Sequence, residues 1–154
     1  DFPTVTLVAT GHGTAESGLK ALAQKLGVSG HVKFTGFLSR AALPSAYKTA
    51  DVFAMMSTSD SQSIALMQAY SSGVPAVCAR ARGLPDYTPK EAGFLVEPGD
   101  YKTLANKLKL LLSDDALRAK MGVAAIKFVK QFSPEKIAHE WARIYRDAID
   151  RHPS

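Results

Sequence analysis

The stretch Asp51–Asp86, DVFAMMSTSDSQSIALMQAYSSGVPAVCARARGLPD, contains the elements that decide the fold. In order it predicts a strand, a polar loop, a helix, a Gly-Pro turn and a second strand: Asp51–Met56, Ser57–Ser63, Ile64–Tyr70, Gly73–Pro75 and Val74–Ala79. A polar loop at a helix N-terminus is a ready anion site, because free N–H groups and the helix dipole point at it. In an open parallel sheet, ligands bind at the C-terminal ends of strands.

Two polar features of this stretch have a structural interpretation as well as a functional one. Ser59 and Gln62 have capping-box spacing, so the loop could serve only to start the helix. Gln68 interrupts the apolar run of a helix between two buried strands, where a buried amide needs partners. Those partners are either the backbone or a ligand hydroxyl.

Outside this stretch the same alternation of strands and helices continues. Strands are predicted at 4–9, 31–35 and 93–96, and helices at 15–26, 43–50, 101–112, 114–130 and 134–150. Thr14 and Ser133 are predicted N-caps, and Gly27 a C-terminal glycine. The pattern predicts an α/β fold with a Rossmann-like parallel sheet, helices on both faces and helices at the C-terminal end. We expect a single domain over 1–150 and a frayed tail over 151–154.

Two further groups of residues follow strands. Gly11-His12-Gly13 lacks the third glycine of a dinucleotide fingerprint, since position 16 is Glu, which argues against a dehydrogenase. It is either a tight turn or a point of close ligand approach. Arg80 and Arg82 would point the same way in an extended segment. They form either a solvated edge or a positive rim that contacts phosphate.

The composition is that of a soluble globular domain: 154 residues, 46% hydrophobic and 21% charged. The net charge of +5 fits a polyanionic ligand, a membrane surface or a nucleic acid. Nucleic acid is the weakest of these, because aromatic and basic residues do not interleave. The single cysteine, Cys78, lies in an apolar strand and fits a reducing, cytoplasmic compartment. Four histidines lack metal-ligand spacing, so no metal site is predicted.

Several motifs in order resemble one family. The segments Val32–Leu38, Ala50–Phe53, Ser59–Pro75, Gly83–Asp86 and Gly93–Asp100 are similar to V-x-F-x-G-x-V, A-D-V-F, S-E-x-x-G-L-x-x-x-E-A-M-A-x-G-x-P, G-G-x-x-E and G-x-L-V-x-P-G-D. Met121-Gly122 and Phe132-Ser133 match late helix landmarks. Together they resemble the C-terminal, nucleotide-sugar-binding half of retaining GT-B glycosyltransferases, the E-x7-E group (glycosyl transferases group 1).

The resemblance implies a role for each site residue. Asp60 would contact the hydroxyls of the donor sugar, and Gln68 the ribose of a nucleoside diphosphate (UDP or GDP). The backbone amides of Ser61, Gln62, Ser63 and Ile64 would meet the sugar and diphosphate, and the backbone of Gly36, Phe37 and Leu38 the base. The donor is a substrate, so no cofactor is expected. The Ser-Asp-Ser-Gln-Ser form favours a lipid acceptor and a membrane-peripheral location.

The chain also departs from the family pattern. Asp60 and Gln68 replace the two Glu residues, Ser63 replaces a Gly, and Arg82-Gly83 replaces Gly-Gly. The family's first strand and helix and its acceptor domain are absent, so we expect a piece of a longer parent that is inactive alone. The open sheet would invite homo-oligomers. The alternatives are a degenerate, non-catalytic nucleotide-binding or structural module and, third, a sugar-nucleotide epimerase.

Overall fold

The computed structural model describes residues 4–151, which divide into two compact units. The first unit runs to Ser45 and the second begins at Ala46. Residues 152–154 of the predicted tail lie outside the described residues. Among the residues described, no helix is long and apolar enough to cross a membrane.

The first unit contains a two-stranded parallel sheet. Its elements are β1 (Leu7–Thr10), α1 (Glu16–Lys25), a 3-10 turn (Ser29–His31) and β2 (Val32–Gly36). Gly27 follows α1 with φ +69°, as its predicted place at the helix end requires. Thr14 is not the cap of α1: the residue before the helix is Ala15, and no side chain caps it.

The second unit is built on a three-stranded parallel sheet in the order β3-β4-β5. The strands are β3 (Phe53–Met55), β4 (Ala76–Ala79) and β5 (Gly93–Val96). The helices that follow the boundary are α3 (Ile64–Ser71), α4 (Tyr101–Ser113), α5 (Asp115–Val129) and α6 (Pro134–Arg151), while α2 (Ala42–Lys48) contains the boundary. Short 3-10 turns cover Leu84–Tyr87 and Lys130–Phe132.

The α/β class with parallel strand pairing is confirmed, and each predicted strand and helix is present. The five described strands form a two-stranded sheet in the first unit and a three-stranded sheet in the second. The single domain over 1–150 stays a prediction. Ser133 caps α6 as expected, with its Oγ accepting from the Lys136 N–H at 3.4 Å.

The core of the second unit surrounds β4, whose four residues are all buried. Alternate residues of a strand point to opposite faces, so β4 serves two clusters. Cys78 packs with Leu66 and Tyr70 of α3, whereas Val77 packs with Leu111 of α4 and with Met121. Strand β4 therefore contributes to both core clusters of the second unit.

Two close contacts hold α5 in place. Gly122 lies against the turn that follows α3, so that a Cβ there would overlap the Gly73 carbonyl oxygen. The Arg118 guanidinium donates to the carbonyls of Leu111 and Leu112 at 2.8 and 3.3 Å. It also lies 3.6 Å from the Asp51 carboxylate, just before β3. Asp51, the Asp of the A-D-V-F motif, therefore has a structural role through its contact with Arg118.

We predict that Gly122→Ala destabilises the protein by about 1–3 kcal/mol, the usual cost of overpacking, because the added methyl group has no space. Urea unfolding measures this as a lower midpoint. Gly18→Ala in α1 is the matched control, since its Cβ would meet nothing within 4 Å. There we expect no loss, or a gain of roughly 0.5–1 kcal/mol from reduced backbone entropy. An unchanged midpoint for Gly122→Ala would contradict the tight contact.

Candidate functional site

The loop after β3 leads directly into the N-terminus of α3. Ser63 is the buried N-cap, and its Oγ accepts from the Leu66 N–H at 3.2 Å. The first N–H groups of a helix have no acceptor within it, so those of Ile64 and Ala65 face the loop. The predicted Ser59–Gln62 capping box is wrong, because Ser59 instead donates its N–H to Ser57 Oγ at 3.2 Å.

The loop after β4 lies against this first loop through a glycine. The Gly83 N–H donates to the Asp60 carbonyl oxygen at 3.1 Å. A Cβ at Gly83 would overlap the Ser61 carbonyl oxygen, so only glycine permits this approach. Strands β3 and β4 are parallel neighbours, and both loops therefore meet at the C-terminal edge of the sheet.

A cavity of about 440 Å³ opens where the two loops meet. It is lined by Ser59, Ser61, Arg82, Gly83 and Asp86. Of the predicted site residues, Ser61 and Arg82 line it. Asp60 stands between two lining residues and is half-buried. Asp86 belongs to the 3-10 turn and was not predicted as a site residue, although its motif pointed to it.

The two arginines after β4 have different surroundings. Arg80 is exposed, and its Nε lies 2.9 Å from Glu97 Oε1, as expected of a solvated edge. The predicted extended segment is wrong, because Arg82 has φ +51° and the Ala81 N–H turns back to the Ala79 carbonyl. Arg82 lines the cavity without an ion pair to any described residue. Only one of the two thus faces the candidate site.

Gln68 is exposed, so its predicted burial is wrong. The helix turns Leu66, Ala69 and Tyr70 into the core and leaves Gln68 on the outer face. Its Oε1 accepts from the Tyr47 hydroxyl at 3.3 Å. Partial burial raises the pKa of Tyr47 further above neutral, so the protonated hydroxyl is the donor in this contact. Tyr47 could not be predicted from the sequence, since the contact joins side chains of two different helices.

The residues predicted to meet a base lie in the first unit, at the end of β2. Gly36 has φ +65°, and its carbonyl accepts from the Gly11 N–H at 2.8 Å. A Cβ at Gly36 would come 2.7 Å from His12 Nε2. Phe37 is 78% exposed, with its ring centroid 5.2 Å from that of His12, and Leu38 is half-buried. The Gly11-His12-Gly13 turn therefore packs on the predicted base-contacting segment.

The Cys78 thiol and the side chains that could hold a metal ion were also located. Burial raises the pKa of the Cys78 thiol to about 11, which keeps it protonated in the core. Within residues 4–151, no group of three or more His, Cys, Asp or Glu side chains is placed as a metal site requires.

Comparisons with known proteins give consistent matches. A family model described as glycosyl transferases group 1 matches residues 1–128. The chain is 43% identical over 96 residues to sulfoquinovosyl transferase SQD2 of Arabidopsis thaliana, covering 60% of this chain and 19% of that protein. It is 37% identical over 128 residues to a D-inositol 3-phosphate glycosyltransferase of Corynebacterium diphtheriae, covering 82% and 30%. It therefore spans less than a third of these relatives.

A solved structure shares the fold. The crystal structure of Anabaena Alr3699/HepE in complex with UDP superposes with a TM-score of 0.84 and 27% identity. The match covers 94% of this chain and 42% of that protein.

We predict that Ser63→Ala destabilises the protein by about 1 kcal/mol, because the Leu66 N–H loses its acceptor at a buried helix start. Ser59→Ala is the control: its hydroxyl contacts only that of Ser57, and we expect a change within about 0.5 kcal/mol. Both are measured by urea unfolding. Equal effects of the two variants would mean that Ser63 is not the cap.

Proposed function

This chain belongs to the glycosyl transferases group 1 family, and from that membership we propose that it binds the donor of a glycosyl transfer. The donor is a nucleoside diphosphate sugar, with UDP or GDP as the nucleotide, and the transfer retains the anomeric configuration. The observation that carries the proposal is the polar loop fixed by Gly83 between β3 and the N-terminus of α3.

The N-terminus of α3 holds the diphosphate in this proposal. The Ser63 hydroxyl accepts from the Leu66 N–H and its carbonyl from the Met67 N–H, so the N–H groups of Ile64 and Ala65 are free for phosphate oxygens. A helix N-terminus carries roughly half a positive charge, which stabilises the negative charge that develops on the leaving diphosphate. These amides supply the neutralisation, so we propose that the donor needs no cofactor.

Asp60 and the loop hold the transferred sugar. A carboxylate accepts hydrogen bonds from two neighbouring hydroxyls, and such charge-assisted hydrogen bonds are strong. The hydrogen bond from Gly83 to the Asp60 carbonyl fixes the backbone on which this carboxylate stands. The backbone amides of Ser61 and Gln62 also contact the transferred sugar in this proposal. Asp60 is thus the residue proposed closest to the reacting centre.

Gln68 binds the ribose, and the end of β2 binds the base. Tyr47 occupies one lone pair of Gln68 Oε1, which orients the amide and leaves its NH₂ group free to donate to a ribose hydroxyl. The backbone of Gly36, Phe37 and Leu38 meets the base in this proposal, and the Phe37 ring beside it is exposed. UDP in the complex of the structural neighbour Alr3699/HepE supports a nucleotide ligand.

The remaining partners are proposals of the same kind. An acceptor domain outside this chain completes the transferase, since the chain spans 30% of the glycosyltransferase from Corynebacterium diphtheriae. The net charge of +5 suits a lipid acceptor at a membrane surface in the cytoplasm.

A second candidate function is a degenerate module that binds the nucleotide alone. Asp60 and Gln68 at the two Glu positions favour it, because both changes weaken contact with sugar hydroxyls. The two candidates differ in whether the sugar adds affinity beyond that of the free nucleotide.

We predict that the chain binds UDP or GDP and binds the matching sugar nucleotide more tightly. Asp60→Ala should weaken the sugar nucleotide about tenfold and leave the free nucleotide unchanged, because one charge-assisted contact is lost. Gln68→Ala should weaken both equally, about three- to tenfold, since the ribose is common to both. Titration calorimetry measures each affinity.

Asp150→Ala and Gln24→Ala are the matched controls, and neither should change affinity, because both residues are exposed and neither is among the residues proposed to bind the donor. The absence of any binding at millimolar nucleotide would overturn the donor site. Equal affinities for the free nucleotide and for the sugar nucleotide would favour the degenerate module.

A further inference from the structure

Arg82 has a backbone conformation that an arginine rarely adopts. Its φ of +51° makes it the one non-glycine residue with positive φ among residues 4–151. Glycine adopts this conformation freely, whereas a Cβ crowds the following carbonyl. The similar family motif has glycine at this position. Strain of this kind persists at functional sites, where the side chain has a use that compensates for it.

The guanidinium of Arg82 has no ion pair or hydrogen bond to any described residue, although it lines a cavity. Two other arginines do have ion pairs: Arg80 pairs with Glu97, and Arg118 pairs with Asp115. Asp86 lines the same cavity, yet no nitrogen of Arg82 comes within ion-pair distance of it. The charge is therefore available to a ligand.

The cavity lies at the sugar end of the proposed donor site. Its lining takes Ser59 and Ser61 from either side of Asp60, and does not reach Ser63 or Ile64 at the start of α3. The diphosphate is assigned to the amides at that helix start. An oxyanion that meets Arg82 therefore belongs to the sugar.

We propose that the transferred sugar carries an acidic group, a carboxylate, sulfonate or phosphate, and that Arg82 recognises it. This inference rests on the proposed function and names the class of donor. A guanidinium binds such groups through two parallel hydrogen bonds. Ser59 and Ser61 add hydroxyl donors, and the Asp86 carboxylate accepts from the sugar's own hydroxyls. The cavity thus offers both kinds of partner that an acidic sugar requires.

The test compares UDP, UDP-glucose and UDP-glucuronic acid on the wild-type chain and on Arg82→Gly. The wild type should bind the acidic sugar about tenfold more tightly than glucose, the ratio expected of one charge-assisted contact. Arg82→Gly should lose that preference, keep its affinity for UDP and UDP-glucose, and melt at a higher temperature as the backbone strain is relieved. Arg146→Ala, an exposed arginine on α6, controls for the change in net charge.

Three results would count against the inference, and they separate it from the proposed function. Equal binding of the two sugars by the wild type would overturn the acidic class while leaving the donor site intact. A loss of UDP affinity in Arg82→Gly would place Arg82 on the diphosphate instead. If the wild type bound no nucleotide, the proposed function itself would fail.

Discussion

The contact between Gly83 and the Asp60–Ser61 backbone is the constraint on which the candidate site depends. It joins the loops that leave two neighbouring parallel strands, β3 and β4, at the same edge of the sheet. One hydrogen bond of 3.1 Å and the lack of space for a Cβ fix their separation. This contact holds the backbone at Asp60 and brings together the residues of both loops that line the cavity.

Several residues of the matched motifs make packing contacts that stabilise the sheet below these loops without touching the candidate site. Asp51 meets Arg118, which also binds the carbonyls that end α4. Gly73 and Gly122 let α5 pack closely on the turn after α3. Strand β4 is buried along its whole length between the two core clusters. The motifs therefore contain two kinds of residue: those that pack to position the loop, and those proposed to contact the ligand.

The secondary structure could be predicted from the sequence because apolar runs, glycines and prolines act locally. The strands around Ala54, Val77 and Leu95 and the helix that starts after Ser63 are examples. The errors arose where long-range contacts or side-chain direction decide the outcome. Gln68 lies on the outer face of α3, and its partner Tyr47 is 21 residues away. The turn at Arg82 could not be predicted either, because arginine seldom adopts a positive φ.

The most direct test of a sugar-nucleotide site at this sheet edge is an amide chemical-shift titration of the chain with UDP-glucose, followed in nitrogen–proton spectra. We expect shifts for the amides of Ser61, Ile64, Ala65 and Gly83, with those of α6 unchanged. Shifts confined to α6 or elsewhere, with these four amides unmoved at saturation, would contradict it.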